Sequence, residues 1–122
     1  MIRQTSRSRA VRALVALVGA CGMLPMTAQA AVVTAFDWGS PSAGKAFYVF
    51  MTDVPFAECR VHIRDVTAGT PWVLVNTIPG GAGGSGARNG LVSGHFYQFR
   101  LAIKWTPVAP PALSFSNVFP VL

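Results

Sequence analysis

The sequence predicts an all-β protein, built as a single antiparallel β-sandwich of about seven strands. After Ala30 the chain consists of short runs rich in aromatic and β-branched residues, separated by clusters of glycine, proline, serine and aspartate. No apolar spacing of three or four residues continues long enough to indicate a helix. All eight Phe, two Tyr and three Trp lie after Ala30, where they can supply one core. A chain of this length has room for one such domain.

Residues 1–30 contain the three parts of a secretory signal peptide, in the expected order. A basic start is followed by the apolar stretch Ala13–Leu24 and by the small-x-small triplet Ala28–Ala30. The apolar stretch is shorter than the roughly 20 residues that span a bilayer. We therefore expect a signal-peptide helix that is removed, a mature protein that begins at or near Ala31, and no stable membrane span afterwards. This interpretation predicts a secreted or periplasmic protein.

The two cysteines raise separate questions. Leu17–Cys21 resembles the cleavage box of bacterial lipoproteins, so a lipid anchor on Cys21 is the alternative to simple secretion. Cys59 stands alone after Ala30, so the mature chain has no partner for an intramolecular disulfide. A buried thiol is the favoured interpretation of Cys59, and an intermolecular bridge or a reactive group are the alternatives.

The net charge of +6 belongs mostly to the N-terminal segment. After Ala30, six basic residues face four acidic ones, and the basic residues are spread along the sequence. They are Lys45, Arg60, Arg64, Arg88, Arg100 and Lys104. This distribution predicts no basic patch and no nucleic-acid partner.

The first half of the mature chain contains three predicted strands. Val32–Phe36 is the first, and a turn is expected at Asp37–Pro41. Lys45–Thr52 is the second, rich in aromatic and β-branched residues. In Glu58–Arg64 the apolar and polar residues alternate, which indicates a strand with one buried and one solvated face.

The second half contains three further predicted strands and one weak one. Pro71–Thr77 begins at a proline, which suits the edge of a sheet. Pro79–Gly86 is so rich in glycine that we expect a flexible loop, and Ala87–Leu91 is the weak strand. His95–Ile103 alternates most regularly and should lie centrally in its sheet, and Leu113–Leu122 is the final strand.

One motif connects this pattern to a known family. Leu91–Tyr97 resembles the L-x-P-G-T-x-Y corner that enters the sixth strand of fibronectin type III domains, and Leu91, Gly94 and Tyr97 match its defining positions. The resemblance implies that the Tyr97 ring packs into the core. It also implies that the Tyr97 hydroxyl group bonds to a backbone carbonyl between Leu91 and Gly94. Removal of the hydroxyl group would then leave that carbonyl unpaired.

Three other segments extend the resemblance over most of residues 32–122. Tyr97–Leu101 is similar to the Y-x-F-R-V strand of that family, Ser116–Val118 to the S-N-x-V of its last strand, and Arg60–Arg64 to its third strand. Phe47 or Phe50 takes the place of the tryptophan usual in the second strand. The resemblance implies a fibronectin type III-like sandwich over residues 31–122, and a related immunoglobulin-like sandwich is the alternative.

The sequence contains no arrangement that predicts catalysis. Cys59 and His62 are three residues apart in a predicted strand, which places them on opposite faces and rules out a Cys-His pair. The two histidines and four acids show no paired metal-ligand spacing, and no Gly-x-Ser-x-Gly turn supports a serine nucleophile. His95 is interpreted as a satisfied polar residue. We therefore expect no enzyme activity and no cofactor.

Trp72 and Trp105 are the residues most suited to contact a partner. Both lie at or beyond the ends of predicted strands, where exposed indoles could stack on a sugar or anchor a protein. The resulting hypothesis is an exported binding or adhesion module for a protein or a glycan. The alternative is a structural subunit of a surface assembly that uses its edge strands.

Overall fold

The computed structural model describes residues 2–4 and 31–122, and these residues form nine strands and no helix. The strands are β1 (Ile2–Gln4), β2 (Val33–Ser42), β3 (Lys45–Phe56), β4 (Glu58–Asp65), β5 (Val73–Ile78), β6 (Gly81–Arg88), β7 (Phe96–Lys104), β8 (Ala112–Phe115) and β9 (Phe119–Pro120). The prediction of an all-β chain is confirmed.

The strands form two antiparallel sheets. The first has the order β1-β2-β3-β6, and the second has the order β8-β7-β4-β5, with β9 also paired to β7. The chain passes from the first sheet to the second after β3, returns for β6 and crosses again to β7. Two antiparallel sheets are consistent with the layers of a β-sandwich.

The core is made by alternate residues of the central strands of both sheets. Tyr48 and Phe50 of β3 are almost completely buried, and so are Phe99 and Leu101 of β7. The ring centroids of Tyr48 and Phe99 are 5.4 Å apart, so this contact joins one sheet to the other. The alternation predicted for the strands that contain Glu58–Arg64 and His95–Ile103 is the alternation observed.

The turn predicted at Asp37–Pro41 is wrong, because β2 continues through it to Ser42. Trp38, in the middle of this strand, is completely buried and packs edge to face against Phe36 at 5.0 Å between centroids. A buried indole removes a large apolar area from water. Its burial outweighs the turn tendency of the glycine, serine and proline that follow.

The flexible loop predicted at Pro79–Gly86 is also wrong, because most of it belongs to β6, which pairs with β3. Here glycine is required by close packing. A Cβ atom on Gly83 would lie 2.5 Å from the carbonyl oxygen of Phe50, and one on Gly86 would lie 2.7 Å from the hydroxyl oxygen of Tyr48. The bare backbone of β6 makes room for the large side chains of its neighbours.

The predicted final strand is divided into β8 and β9, and both parts pair with β7. The division falls at Ser116, whose hydroxyl oxygen accepts the backbone N–H of Phe99 at 2.8 Å. The Ser116 N–H in turn donates to the Phe99 carbonyl at 3.0 Å. A side-chain oxygen thus replaces one backbone acceptor of the ladder, and the regular register ends there.

The predicted signal peptide, residues 1–30, lies outside the described residues apart from Ile2–Gln4. These three residues form β1 on the outer edge of β2, opposite Phe36–Trp38. The proposed cleavage site and the lipoprotein-like segment at Cys21 also lie outside the described part of the chain. Within that part, no helix has the length and hydropathy of a membrane span.

Candidate functional site

The outward face of the second sheet collects the polar side chains of β4. Cys59, Val61 and Ile63 point into the core and are buried, so the residues between them point away from it. Arg60, His62 and Arg64 therefore lie in a row on the outward face.

The neighbouring strand β7 adds further basic residues to this face. Its register with β4 places Arg100 opposite His62, Gln98 opposite Arg64 and Lys104 opposite Glu58. Directly opposed residues of an antiparallel pair project on the same side of the sheet. We call the resulting surface the basic face, defined by Arg60, His62, Arg64, Arg100 and Lys104.

The prediction that the chain has no basic patch is therefore wrong. Four of the six basic residues after Ala30 lie on the basic face, although Arg64 and Arg100 are far apart in sequence. The two arginines become neighbours because β4 and β7 are adjacent and alternate residues of each strand point outward. The sequence alone does not reveal the register between these strands. Of the acidic side chains described, only Glu58 belongs to this face, where it pairs with Arg60 at 3.2 Å. One carboxylate against four cations leaves the face positively charged.

Trp72, predicted to contact a partner, holds the arginines of the basic face. The guanidinium carbons of Arg64 and Arg100 lie 4.8 Å and 4.7 Å from the centre of its ring. Its ring also lies 5.9 Å from that of Phe115. Cation–π attraction and these contacts fix the two guanidinium groups. The indole itself is half-buried, so a partner meets the arginines that cover it.

Three nitrogens of the basic face are buried and have no hydrogen-bond partner among the described residues. They are Nδ1 of His62, Nε of Arg64 and Nε of Arg100. Buried polar atoms are normally paired, so unpaired ones need an explanation. The pKa of His62 is lowered by burial and, to a smaller extent, by the positive charges of Arg100 and Arg60. His62 is consequently neutral near pH 7.

A groove of about 380 Å³ follows the basic face toward β8. Glu58, Arg60, His62, Arg100, Ala102, Lys104, Pro111 and Leu113 line it. Apolar side chains border the face on both sides: Leu74 of β5 lies opposite His62, and Phe115 of β8 lies opposite Arg100. Both are about half exposed. The site thus has a cationic centre and apolar margins.

Trp105, the second residue predicted to contact a partner, lies elsewhere. It follows the end of β7 and packs partly buried against the core. Arg64, beside Trp72, is six residues from Glu58 along β4, which corresponds to roughly 20 Å at about 3.4 Å per residue. In the strand register Glu58 lies opposite Lys104, which immediately precedes Trp105. The structure therefore does not bring Trp72 and Trp105 together into one platform.

The three corner residues lie at the start of β7. Leu91 packs against the core, Gly94 has a φ of 86°, in the region that favours glycine, and Tyr97 is buried. The Tyr97 hydroxyl oxygen accepts the N–H of Val92 at 2.8 Å, within the segment that the resemblance indicates. The backbone group is thus a donor, whereas the sequence interpretation expected a carbonyl acceptor.

A second polar contact reinforces the corner. His95 Nδ1 lies 2.7 Å from a carboxylate oxygen of Asp65, and the other oxygen accepts the N–H of Ala68 at 2.9 Å. Tyr97 also forms a side-chain hydrogen bond with Asp65. Burial acts to raise the pKa of Asp65, but the bonds from His95, Ala68 and Tyr97 lower it overall. The contacts of Asp65 with His95 and Tyr97 connect the end of β4 to the start of β7, and its bond with Ala68 closes the turn after β4, so Asp65 has a structural role.

Cys59 and His62 lie on opposite faces of β4, as their spacing predicts. Cys59 is completely buried, and burial raises the pKa of its thiol to about 12. A thiol with so high a pKa is protonated at neutral pH and is a poor nucleophile. Residues 2–4 and 31–122 contain no group of three or more His, Cys, Asp or Glu side chains placed to hold a metal ion.

Comparison with protein-family models, curated proteins and solved structures finds no match for this chain. The site therefore stands on its own geometry. Sequence reasoning did not select Arg64 and Arg100 as site residues. The usable signal was the spacing Arg-x-His-x-Arg in one predicted strand beside a second strand with an outward arginine.

Proposed function

We propose that the chain is an exported, non-enzymatic binding module that recognises a protein partner through the basic face. The observation that carries this proposal is the convergence of Arg60, Arg64, Arg100 and Lys104 on one side of a sheet, where Arg64 and Arg100 lie against a half-buried tryptophan. Arginine and tryptophan are enriched at the energetic centres of protein interfaces. The same four cations without a partner would repel one another.

A protein is a better occupant than a glycan because of the margins of the site. Leu74, Leu113 and Phe115 are about half exposed beside the cations. Apolar side chains of a protein partner could cover them, and the burial of apolar area would add affinity. A sugar would need a free aromatic face for stacking, and the arginines occupy the ring of Trp72.

We further propose that the domain is fibronectin type III-like. Counted from β2, Arg60–Arg64 lies in the third strand and the corner leads into the sixth, which is the order that the resemblance requires. The fourth strand, β5, pairs with the third, unlike the constant-type immunoglobulin order, in which it joins the other sheet. The Tyr97 contact with Val92 and the burial of Phe50 also support this assignment. The family suggests a binding role by analogy only.

Photocrosslinking in the producing cells tests the function. A photoreactive residue replaces Leu113 in the groove beside the basic face or, as a control of similar exposure, Met51 on the first sheet. We expect a discrete, protease-sensitive product from position 113 and none from position 51. Arg100→Ala should abolish that product, and Arg88→Ala, a matched loss of charge away from the face, should preserve it. Equal products from both positions, or none from position 113, would contradict the proposal.

Export is tested by intact-mass analysis of the protein recovered outside the cytoplasm. We expect a mature chain that starts at or near Ala31. A lipidated N-terminus at Cys21, or a chain that retains Met1, would show that the signal interpretation is wrong.

One observation favours a second function, a structural subunit that adds strands to its neighbours. Ile2–Gln4 pairs with the outer edge of β2, so this edge accepts an additional antiparallel strand. Removal of residues 1–30 would leave that edge open to a strand of another molecule. Light scattering after size exclusion separates the two functions, because a binding module stays monomeric at moderate concentration and an assembling subunit does not.

A further inference from the structure

We propose that Arg64, Arg100 and His62 form a carboxylate-binding site that receives an acidic, partly apolar segment of the protein partner. This inference rests on the proposed function and adds the chemistry of the ligand. It assigns direct contact to the two arginines and to His62, and a positioning role to Trp72.

The geometry of the arginines prepares them for a carboxylate. Because both guanidinium carbons lie within 5 Å of the centre of the Trp72 ring, they are held within about 10 Å of each other. No carboxylate of the described residues forms an ion pair with either of them. Among the residues that the structure describes, Arg64 reaches only the amide oxygen of Gln98, at 3.5 Å, and the buried Nε atoms of both arginines have no partner. Guanidinium groups bind carboxylates through two parallel N–H bonds, and because the Nε atoms are buried, the terminal Nη groups are the donors that a carboxylate would meet.

The surroundings of His62 show what a bound anion would change. Arg60 and Arg64 flank it on β4, and Arg100 lies opposite it on β7, with Gln98 opposite Arg64. The strands on the two sides of this pair, β5 and β8, contain no charged residue. Glu58, the one acidic residue described on this face, is four positions away along β4 and is paired with Arg60. Positive charge therefore dominates around His62, which favours its neutral form. A carboxylate bound beside it reverses this balance, so binding takes up a proton.

The apolar margins identify the kind of anion. Leu74 and Phe115 lie on the same cross-strand row as His62 and Arg100, one at each end. A segment with acidic side chains at its centre and apolar side chains on both sides matches this row in charge and in apolar area. Sulfated or phosphorylated polymers match only the charge.

The test measures binding of synthetic peptides to the exported protein by isothermal calorimetry. The probe is a 12-residue peptide in which pairs of Glu alternate with pairs of Leu, and its control has Gln in place of each Glu. We expect the Glu peptide to bind at least tenfold more tightly than the Gln peptide. We also expect its affinity to rise severalfold between pH 7.5 and pH 5.5, a range in which glutamate remains ionised. Proton uptake should appear as a dependence of the measured heat on the buffer.

Variants assign these effects to residues. Arg100→Ala and Arg64→Ala should each weaken binding of the Glu peptide at least tenfold, and Arg100→Lys, which keeps the charge and loses the paired donors, should weaken it by less. His62→Gln should remove the pH dependence and the proton uptake. Arg88→Ala is the control and should have no effect. Thermal unfolding midpoints establish that each variant is folded.

Two results would overturn the inference. One is unchanged binding of the Glu peptide in folded Arg64→Ala and Arg100→Ala. The other is binding of dextran sulfate that is as tight as that of the Glu peptide, which would make the surface a general polyanion site. Neither result affects a crosslink from position 113, so failure of this inference can be distinguished from failure of the proposed function.

Discussion

The substitution Tyr97→Phe tests how much the corner at the start of β7 contributes to stability. It keeps the buried ring and removes only the hydroxyl group, which accepts from the Val92 N–H and bonds to Asp65. Val92 is half exposed, so its N–H can bind water after the substitution, and that loss is small. Asp65 loses one of the groups that stabilise its charge but keeps the contacts with His95 and Ala68.

The expected cost is about 1–3 kcal/mol, because a neutral hydrogen bond contributes roughly 1 kcal/mol and one to a charged group roughly twice that. In a domain of this size each kcal/mol lowers the thermal midpoint by about 4–8 °C. The whole stability of such a domain is on the order of 5–10 kcal/mol, so the variant should fold.

Urea denaturation followed by tryptophan fluorescence measures this cost, with an unchanged slope as the sign that only stability has changed. Tyr48→Phe is the control. Tyr48 is as deeply buried, but its hydroxyl accepts one bond, from Asn76 at 3.2 Å. We expect this control to lose less than about 1 kcal/mol. Equal losses in the two variants would refute the idea that the corner contributes more than an ordinary buried tyrosine.

Three further predictions follow from described contacts. Native protein should not react with a thiol reagent at pH 8, because Cys59 is buried and burial raises the pKa of its thiol to about 12. The unfolded protein should react, and rapid labelling of the folded protein would contradict this prediction. Gly86→Ala should destabilise by about 1–3 kcal/mol because its Cβ would collide with Tyr48, whereas Ser85→Ala in the same strand should change stability by less than about 0.5 kcal/mol in urea denaturation. The free energy of unfolding should fall from pH 7.5 to pH 5.5, because the pKa of His62 is lowered in the folded protein and the unfolded chain, in which a histidine has a pKa of about 6.5, binds more protons in this range. The dependence on pH should be weaker in His62→Gln. An equal dependence in that variant would mean that another group causes it.

The strands that the sequence predicted well are those in which apolar and polar side chains alternate visibly along the sequence. The alternation in Glu58–Arg64 and in His95–Ile103 follows from one buried and one solvated face, and both segments are strands as expected. The β6 strand could not be recognised in the same way. A glycine has no side chain with which to show alternation, and the need for it comes from Tyr48 and Phe50 on another strand.

The candidate site was only partly predictable for a related reason. Trp72 was selected for its position at a strand end, and the structure places it in the site. Arg64 and Arg100 become neighbours only through the register between β4 and β7. Register depends on which strands pair, and that information is spread over the whole chain. At Trp38 a local signal was misleading. The turn-forming residues beside it predicted that the strand ends there, but the burial of Trp38 outweighs that tendency and the strand continues.

The glycine-rich strand β6 has a consequence for how the domain opens. Four of its eight residues are glycine, and each costs about 0.5–1 kcal/mol more than alanine to order. Among the described strands, β6 also pairs with a neighbour on one side only, β3. We expect it to be the first strand to detach in local unfolding, with its amide hydrogens exchanging faster than those of β3. Its departure would uncover the edge of β3 together with Tyr48 and Phe50, so transient opening at this strand is where exchange of strands between molecules would begin.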